Sequence, residues 1–128
     1  CTYTEALYVE KRYGYESMLE YLLYQKNFID GGSPILGHRD VNHQGNHTDM
    51  YYKGSWMLHS IRNTINNDSL WFSIVKGVAQ EFAIQNCDGN EIIEYVCAKS
   101  GVDLRAIFNQ YLAYAEVPIL KYKFKKKI

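Results

Sequence analysis

Apolar residues recur three and four positions apart through most of this chain, which is the spacing of one helix face and not of a strand. The clearest stripe consists of Tyr51, Gly54, Leu58, Ile61 and Ile65. Similar stripes lie on both sides of it, separated by short runs rich in Gly, Asn, Asp and Pro, which are typical of turns. The pattern predicts an all-α fold of five to six helices.

Turn residues predict where several of these helices begin and end. Gly14 separates the first helix from a second one that spans about residues 15–28. Gly101 is the residue type that most often ends a helix in the left-handed conformation, and Asp103 is a residue type that caps helix N-termini. We therefore expect Gly101 and Asp103 to bracket the turn before the last helix.

The last residues follow a different pattern. Leu120, Tyr122 and Phe124 alternate with lysines, which predicts a short C-terminal strand. Because no other segment of the chain shows this alternation, we expect the strand to begin a sheet that lies elsewhere. The chain thus divides into a helical part, residues 1–116, and a tail, residues 117–128.

Composition and charge exclude several classes of protein. The chain carries 14 Lys+Arg and 14 Asp+Glu, so its formal net charge is zero, whereas nucleic-acid-binding domains carry a basic face. No apolar run approaches the ~20 residues that cross a bilayer. The three cysteines are scattered without a CxxC spacing, which argues against a disulfide framework. We expect no nucleic-acid partner and no membrane segment.

The four histidines do not form a recognisable metal motif. His38, His43 and His47 lie in a polar loop, and their spacing matches no strong zinc signature. Exposed loop histidines are the simpler interpretation. His59 lies in the middle of the central stripe, where we expect a half-buried histidine whose hydrogen bonds are satisfied.

Tyr51 is the strongest candidate for a catalytic residue. It lies in the first turn of the central helix, with Gly54 three residues later on the same face. A tyrosine held there can donate a hydrogen bond to charge that develops on a substrate oxygen. Gly54 costs a helix about 1 kcal/mol relative to alanine, so its presence indicates either close backbone packing or access to a site. On composition alone, Tyr51 would be a core or rim residue, one of twelve tyrosines.

Several motifs in register resemble the aminopeptidase N type of zinc metallopeptidase, the gluzincin family that includes leukotriene hydrolase. The Tyr-x-Lys-Gly motif of that family resembles residues 51–54. The end of its second zinc helix resembles residues 3–10, its Met-Leu-His-x-Leu/Ile-Arg helix resembles residues 57–62, and its Ser-Gly-x-Asp-Leu and Phe-x-Gln-Trp/Tyr-Leu signature resembles residues 100–104 and 108–112. A Pro-x-Leu that leads into a β-domain resembles residues 118–120. The resemblance covers nearly the whole chain, except for about residues 29–46.

The resemblance implies a fragment: the helical C-terminal subdomain of a thermolysin-like catalytic domain, followed by the start of a β-domain. In the family, two histidines of a His-Glu-x-x-His motif and a glutamate on the following helix bind zinc. This chain contains no His-Glu-x-x-His, and the glutamate ligand would fall upstream of Cys1. We expect zinc in the parent enzyme and none in this fragment. By this alignment Glu5 and Glu10 are not zinc ligands, and Glu5 is either an outer neighbour of the site or an ordinary helix carboxylate.

The resemblance also gives Tyr51 a role. In the family, a zinc-bound water attacks a peptide carbonyl, and the zinc together with a tyrosine stabilises the resulting oxyanion. Tyr51 takes the position of that tyrosine. The parent enzyme would remove N-terminal residues from its peptide substrate, and this fragment would contact the upstream zinc helices and the downstream domain. We expect the fragment alone to be inactive.

Two alternatives remain open at this point. The chain could be a helical interaction module without catalysis, or a family member that has kept the scaffold and lost activity. The enzyme hypothesis requires the Tyr51 hydroxyl to face an open concave surface near the start of the helix that contains Tyr3. An interaction module sets no such requirement, because its tyrosine can be buried anywhere.

Overall fold

The computed structural model describes residues 1–37 and 48–125, which form six α-helices. In chain order they are α1 (Thr2–Tyr13), α2 (Tyr15–Lys26), α3 (Thr48–Ile65), α4 (Asp68–Glu81), α5 (Gly89–Ser100) and α6 (Arg105–Ala113). These described residues contain no strand. The predicted all-α fold of five to six helices is confirmed. None of the described helices combines the length and the apolar character that crossing a bilayer requires.

Two glycines with positive φ end helices at the predicted positions. Gly14 joins α1 to α2 with a φ of 93°, and its N–H donates to the carbonyl of Glu10 at 2.9 Å. Gly101 ends α5 in the left-handed conformation with a φ of 70°. Residues with a Cβ rarely adopt such angles, so glycine lets the chain turn here without strain.

Side-chain caps fix the starts of the helices between these turns. The Asn67 side chain accepts a hydrogen bond from the N–H of Leu70 at the start of α4. Asp88 and Glu91 form a capping box at the start of α5. The Asp88 side chain accepts from backbone N–H groups of the first turn, and the Glu91 side chain accepts from the backbone N–H of Asp88. Such caps satisfy N–H groups that a helix leaves without partners.

Two predicted helix boundaries require correction. The second helix ends at Lys26 and not near Phe28, because the chain tightens into a turn in which the Phe28 N–H bonds the carbonyl of Gln25. The residue in the N-cap position of α6 is Leu104. Asp103 nevertheless accepts a hydrogen bond from the Arg105 N–H at 3.2 Å, so its carboxylate still provides a partner for a backbone N–H in the first turn of α6.

The predicted C-terminal strand is not formed in the part of the tail that the structure describes, residues 117–125. A strand satisfies its backbone N–H and C=O groups by pairing with a second strand. The described residues offer none, and the apolar side chains of the alternating segment, Leu120, Tyr122 and Phe124, are exposed. Residues 126–128 lie outside the described residues.

The central element of the fold is α3, which packs against α1, α2, α4 and α6, while α5 packs against α4 and α6. All six helices contribute apolar residues to a single core, and the burial of this core is the main favourable contribution to folding. The buried members of this core include Ala6, Met18, Leu22, Ile61, Trp71, Ile74, Leu104 and Phe108.

Because neighbours surround α3 on several sides, polar residues outside its apolar stripe are also buried. They are Asp49, Lys53, Ser55, His59 and Arg62. A buried polar group destabilises the fold unless it is hydrogen-bonded, and a buried charge requires a counter-charge or several hydrogen bonds. The partners of these residues therefore determine how α3 sits among its neighbours.

Arg62 joins three helices through its guanidinium group. On α1, Glu10 accepts from Nη1 at 2.6 Å and from Nη2 at 2.8 Å, and on α4, Asp68 accepts from Nε and from Nη2, both at 2.8 Å. The Arg62 side chain is only 3% exposed. Hydrogen bonds to Asp68 and then to Glu10 raise the pKa of Arg62, and the same contact lowers the pKa of Asp68.

We predict that Arg62→Met lowers the free energy of unfolding by about 1–3 kcal/mol, because it removes the hydrogen bonds to Glu10 and Asp68, whose side chains are 21% and 63% exposed. Arg105→Met is the matched control. Arg105 also binds two carboxylates, those of Glu94 and Asp103, but its side chain is 54% exposed, so we expect a much smaller loss. Urea denaturation of both variants measures the difference. Equal losses would show that the Arg62 network does not stabilise the packing of α1, α3 and α4.

Candidate active site

A cavity of about 390 Å³ lies between the first turns of α1 and α3 and the inner faces of α4, α5 and α6. Its walls are largely apolar and include Leu58, Ile74, Val78 and Phe108. None of the described residues that line it carries a charged side chain. Low polarity and concavity are typical of sites that bind small molecules or single side chains.

Tyr51 lies on the wall of this cavity together with Cys1–Thr4, the start of α1. Its side chain is 52% exposed, so the phenol is accessible from outside. Tyr51, the residue that we proposed as catalytic from the sequence, thus shares a cavity wall with the start of the helix that contains Tyr3.

Gly54 lines the same cavity one helical turn after Tyr51. A Cβ added to Gly54 would meet no heavy atom within 4 Å. Of the two explanations that the sequence left open for this glycine, close backbone packing is therefore excluded. The missing side chain instead enlarges the cavity.

Asp49 fixes the first turn of α3 to the chain that follows α2. Its carboxylate accepts hydrogen bonds from the N–H groups of Asp30, at 2.7 Å, and Gly31, at 2.9 Å. Asp49 is buried, and these charge-assisted bonds compensate for its loss of water. Tyr51 lies two residues away, so its backbone is held in place.

Lys53 fixes the second turn of α3 to the end of α6. Its Nζ donates to the carbonyls of Tyr114, at 2.5 Å, and Ala115, at 2.8 Å, and its side chain is 0% exposed. Burial lowers the pKa of Lys53, while the negative charges of Asp49 and Glu116 partly oppose the shift. From the sequence, Lys53 stood out only as a member of the Tyr-x-Lys-Gly motif. The spacing of four between Asp49 and Lys53 would have been a further signal, since it puts both polar residues on one helix face.

His59 departs from its sequence-based expectation. It is buried, at 4% exposure, and its Nδ1 has no hydrogen-bond partner among the described residues. The rings of Tyr3, Tyr15 and Trp56 surround it at centroid distances of 6.3–6.5 Å. Burial lowers the pKa of His59, and the positive charge of Arg62 lowers it further, against the opposing charges on Glu10 and Asp68.

Three residues of the cavity wall carry buried polar atoms that have no hydrogen-bond partner in the described structure. These atoms are Tyr3 Oη, Ser55 Oγ and Trp71 Nε1. Burial raises the pKa of Tyr3, and the adjacent Arg62 and Trp71 side chains partly offset the shift. The three atoms have no surface open to the cavity, so a bound molecule would not reach them.

The described residues do not supply a metal site. No group of three or more His, Cys, Asp or Glu among residues 1–37 and 48–125 could hold a metal ion. Glu5 accepts a hydrogen bond from the hydroxyl of Tyr21 at 2.9 Å, and Glu10 binds Arg62. His38, His43 and His47 lie outside the described residues. All three cysteines are free thiols, and Cys97 is buried.

The chain significantly matches no protein-family model, no curated protein and no solved structure. Its resemblance to the aminopeptidase N family therefore depends on the sequence motifs alone.

The free energy of unfolding should fall as the pH decreases from 7 to about 5. Because the pKa of buried His59 lies below the ordinary value of 6.5, the unfolded state binds more protons than the folded state in this range, which favours unfolding. One such group changes stability by at most about 1.4 kcal/mol per pH unit. His59→Phe should flatten this dependence in denaturation curves. An unchanged slope in that variant would assign the effect to other groups.

Gly54→Ala should raise the free energy of unfolding by up to about 1 kcal/mol, because alanine favours the helix and the added methyl group meets open space. Gly77→Ala, also within a helix, is the control. A Cβ at Gly77 would overlap the hydroxyl of Tyr95, so the Tyr95 side chain would have to move, and we expect a smaller gain than in Gly54→Ala or none. Thermal denaturation with calorimetry compares the two. A destabilising Gly54→Ala would mean that neighbouring atoms already fill the space.

Proposed function

We propose that this chain forms the helical part of the catalytic domain of a zinc aminopeptidase, and that Tyr51 donates a hydrogen bond to the substrate oxygen that becomes negatively charged during peptide hydrolysis. The observation that carries this proposal is the position of Tyr51. It is half exposed on the wall of a cavity that it shares with Cys1–Thr4. The same neighbourhood follows from the motif resemblance, in which α1 is the end of the second zinc helix.

The chemistry requires a donor that is fixed before the reaction. When water attacks a peptide carbonyl, the carbonyl oxygen gains negative charge, and a donor already in position stabilises it without reorganisation. The O–H of a phenol can act as that donor. Asp49 and Lys53 hold the two turns of α3 that flank Tyr51 through four hydrogen bonds to other segments. The backbone of Tyr51 is therefore rigid, while its side chain is reachable.

The proposed enzyme also requires a catalytic zinc. In the family it activates the attacking water, and its ligands form a set that the described residues of this chain do not provide. We therefore derive no metal-dependent step from this chain. Its own contribution is the hydrogen-bond donor, the helix that carries it and the adjoining cavity wall.

Tyr51→Phe in the protein translated from its complete reading frame tests the proposal. Removing one oxyanion donor lowers kcat by about 10²–10³, and we expect KM for an aminoacyl anilide to change little. Tyr52→Phe is the matched control. The Tyr52 ring packs against Phe28 at a centroid distance of 5.2 Å, and Tyr52 does not line the cavity. We expect kcat of that variant to remain near the wild-type value.

Two results would contradict the proposal. One is wild-type kcat in Tyr51→Phe, which would show that the hydroxyl does not stabilise the transition state. The other is a protein without aminopeptidase activity, which would favour one of the two non-catalytic alternatives.

A helical interaction module is the second candidate, and exposed aromatic residues at the end of α2 and just after it favour it. Tyr24 packs against Phe28 at 5.0 Å, and Phe28 packs against Tyr52, yet Tyr24 and Phe28 are both exposed. Grouped exposed aromatic residues are typical of protein interfaces. This surface does not include Tyr51, so the two proposals depend on different residues.

A further inference from the structure

The space in front of Gly54 exists because this helix position carries no side chain. Gly54 lies inside an 18-residue helix, where glycine is less favourable than alanine. A Cβ there would clash with nothing, and no φ in the left-handed region requires glycine. Glycine at this position thus makes the helix less stable and the cavity beside Tyr51 wider.

The charge of the cavity wall restricts what can enter. Its described lining residues carry no charged side chain, so a charged group would lose its water without gaining a counter-charge. Apolar groups gain from the same exchange, because Leu58, Ile74 and Val78 provide dispersion contacts. The occupant that fits this wall is uncharged and apolar.

The polar atoms of the wall residues do not change this preference. Tyr3 Oη, Ser55 Oγ and Trp71 Nε1 are buried and closed off from the cavity, although their residues line it. The surface that the cavity offers to a ligand is therefore apolar.

We infer that this cavity binds a large apolar side chain, aromatic or branched aliphatic, of the peptide residue next to the bond that is cleaved. The assignment of the ligand as a peptide depends on the proposed function. Tyr51 lies on the cavity wall, so a peptide whose carbonyl meets its hydroxyl places a neighbouring side chain within reach of the space in front of Gly54. The aminopeptidase should therefore prefer such residues over glycine and over charged residues.

Binding can be measured on the 128-residue chain without metal or turnover. The probe is N-acetyl-L-phenylalaninamide, which is uncharged, and the readout is the indole N–H signal of Trp71 in ¹H–¹⁵N spectra. We expect a saturable shift with a dissociation constant on the order of 1 mM, typical of so small a ligand. Trp56 is an internal control, because its Nε1 donates to the carbonyl of Leu22 and it does not line the cavity. Its signal should stay in place.

Two further probes and two glycine variants test specificity. N-acetylglycinamide and N-acetyl-L-lysinamide should give no saturable shift, since one lacks a side chain and the other carries a charge. Gly54→Leu fills the space and should weaken binding of the phenylalanine probe at least tenfold. Gly89→Leu is the matched control, because a Cβ at Gly89 also meets open space but lies away from the cavity. It should bind as the wild type does.

If Gly54→Leu does not fold, Val78→Phe narrows the cavity from α4, and Val9→Phe adds the same group to α1 outside it. The first should weaken binding and the second should not. An unsaturated Trp71 shift, equal shifts with the glycine probe, or unchanged binding in both cavity variants would each overturn the inference. None of these results depends on kcat of Tyr51→Phe, so the site and the proposed activity can fail separately.

Discussion

The contact on which the arrangement of helices depends is that of Arg62 with Glu10 and Asp68. One buried guanidinium group donates four hydrogen bonds to carboxylates on two other helices. Removing a charge of this kind from water is unfavourable, so the arrangement is stable only while both carboxylates are in place. Because α1 is thereby fixed against α3, Tyr3 at the start of α1 packs against His59 in the middle of α3, at a ring-centroid distance of 6.5 Å. The start of α1 and Tyr51 line one cavity.

At the start of α3, a firmly held helix backbone carries an accessible side chain. Asp49 and Lys53 point into the protein and bond backbone groups from chain segments before α3 and after α6, whereas Tyr51 between them is half exposed. Gly54 adds free space on the same side. This combination suits a residue that must meet a substrate in a fixed position, since catalytic hydrogen bonds lose much of their effect when the donor is misplaced.

Local patterns were sufficient to predict the helices but not the polar interior of α3. Gly14 and Gly101 end helices as predicted, because the conformation that they adopt depends on the residue itself. The burial of Arg62 and His59 could not be predicted, because it depends on how many helices surround α3. The alternating segment near Phe124 predicted a strand that the described residues do not form, since alternation cannot supply a pairing partner. Tyr51 and the start of α1 were expected to be neighbours only through the motif resemblance, and they line one cavity.

The most direct test of the central claim is a crystal structure of the complete protein with a phosphinic dipeptide, whose tetrahedral phosphorus imitates the attacked carbonyl. The decisive quantity is the distance between Tyr51 Oη and the nearer phosphinyl oxygen. Our account predicts about 2.6–3.1 Å, the length of a hydrogen bond to an oxyanion. A Tyr51 hydroxyl that makes no hydrogen bond to the bound inhibitor would contradict it.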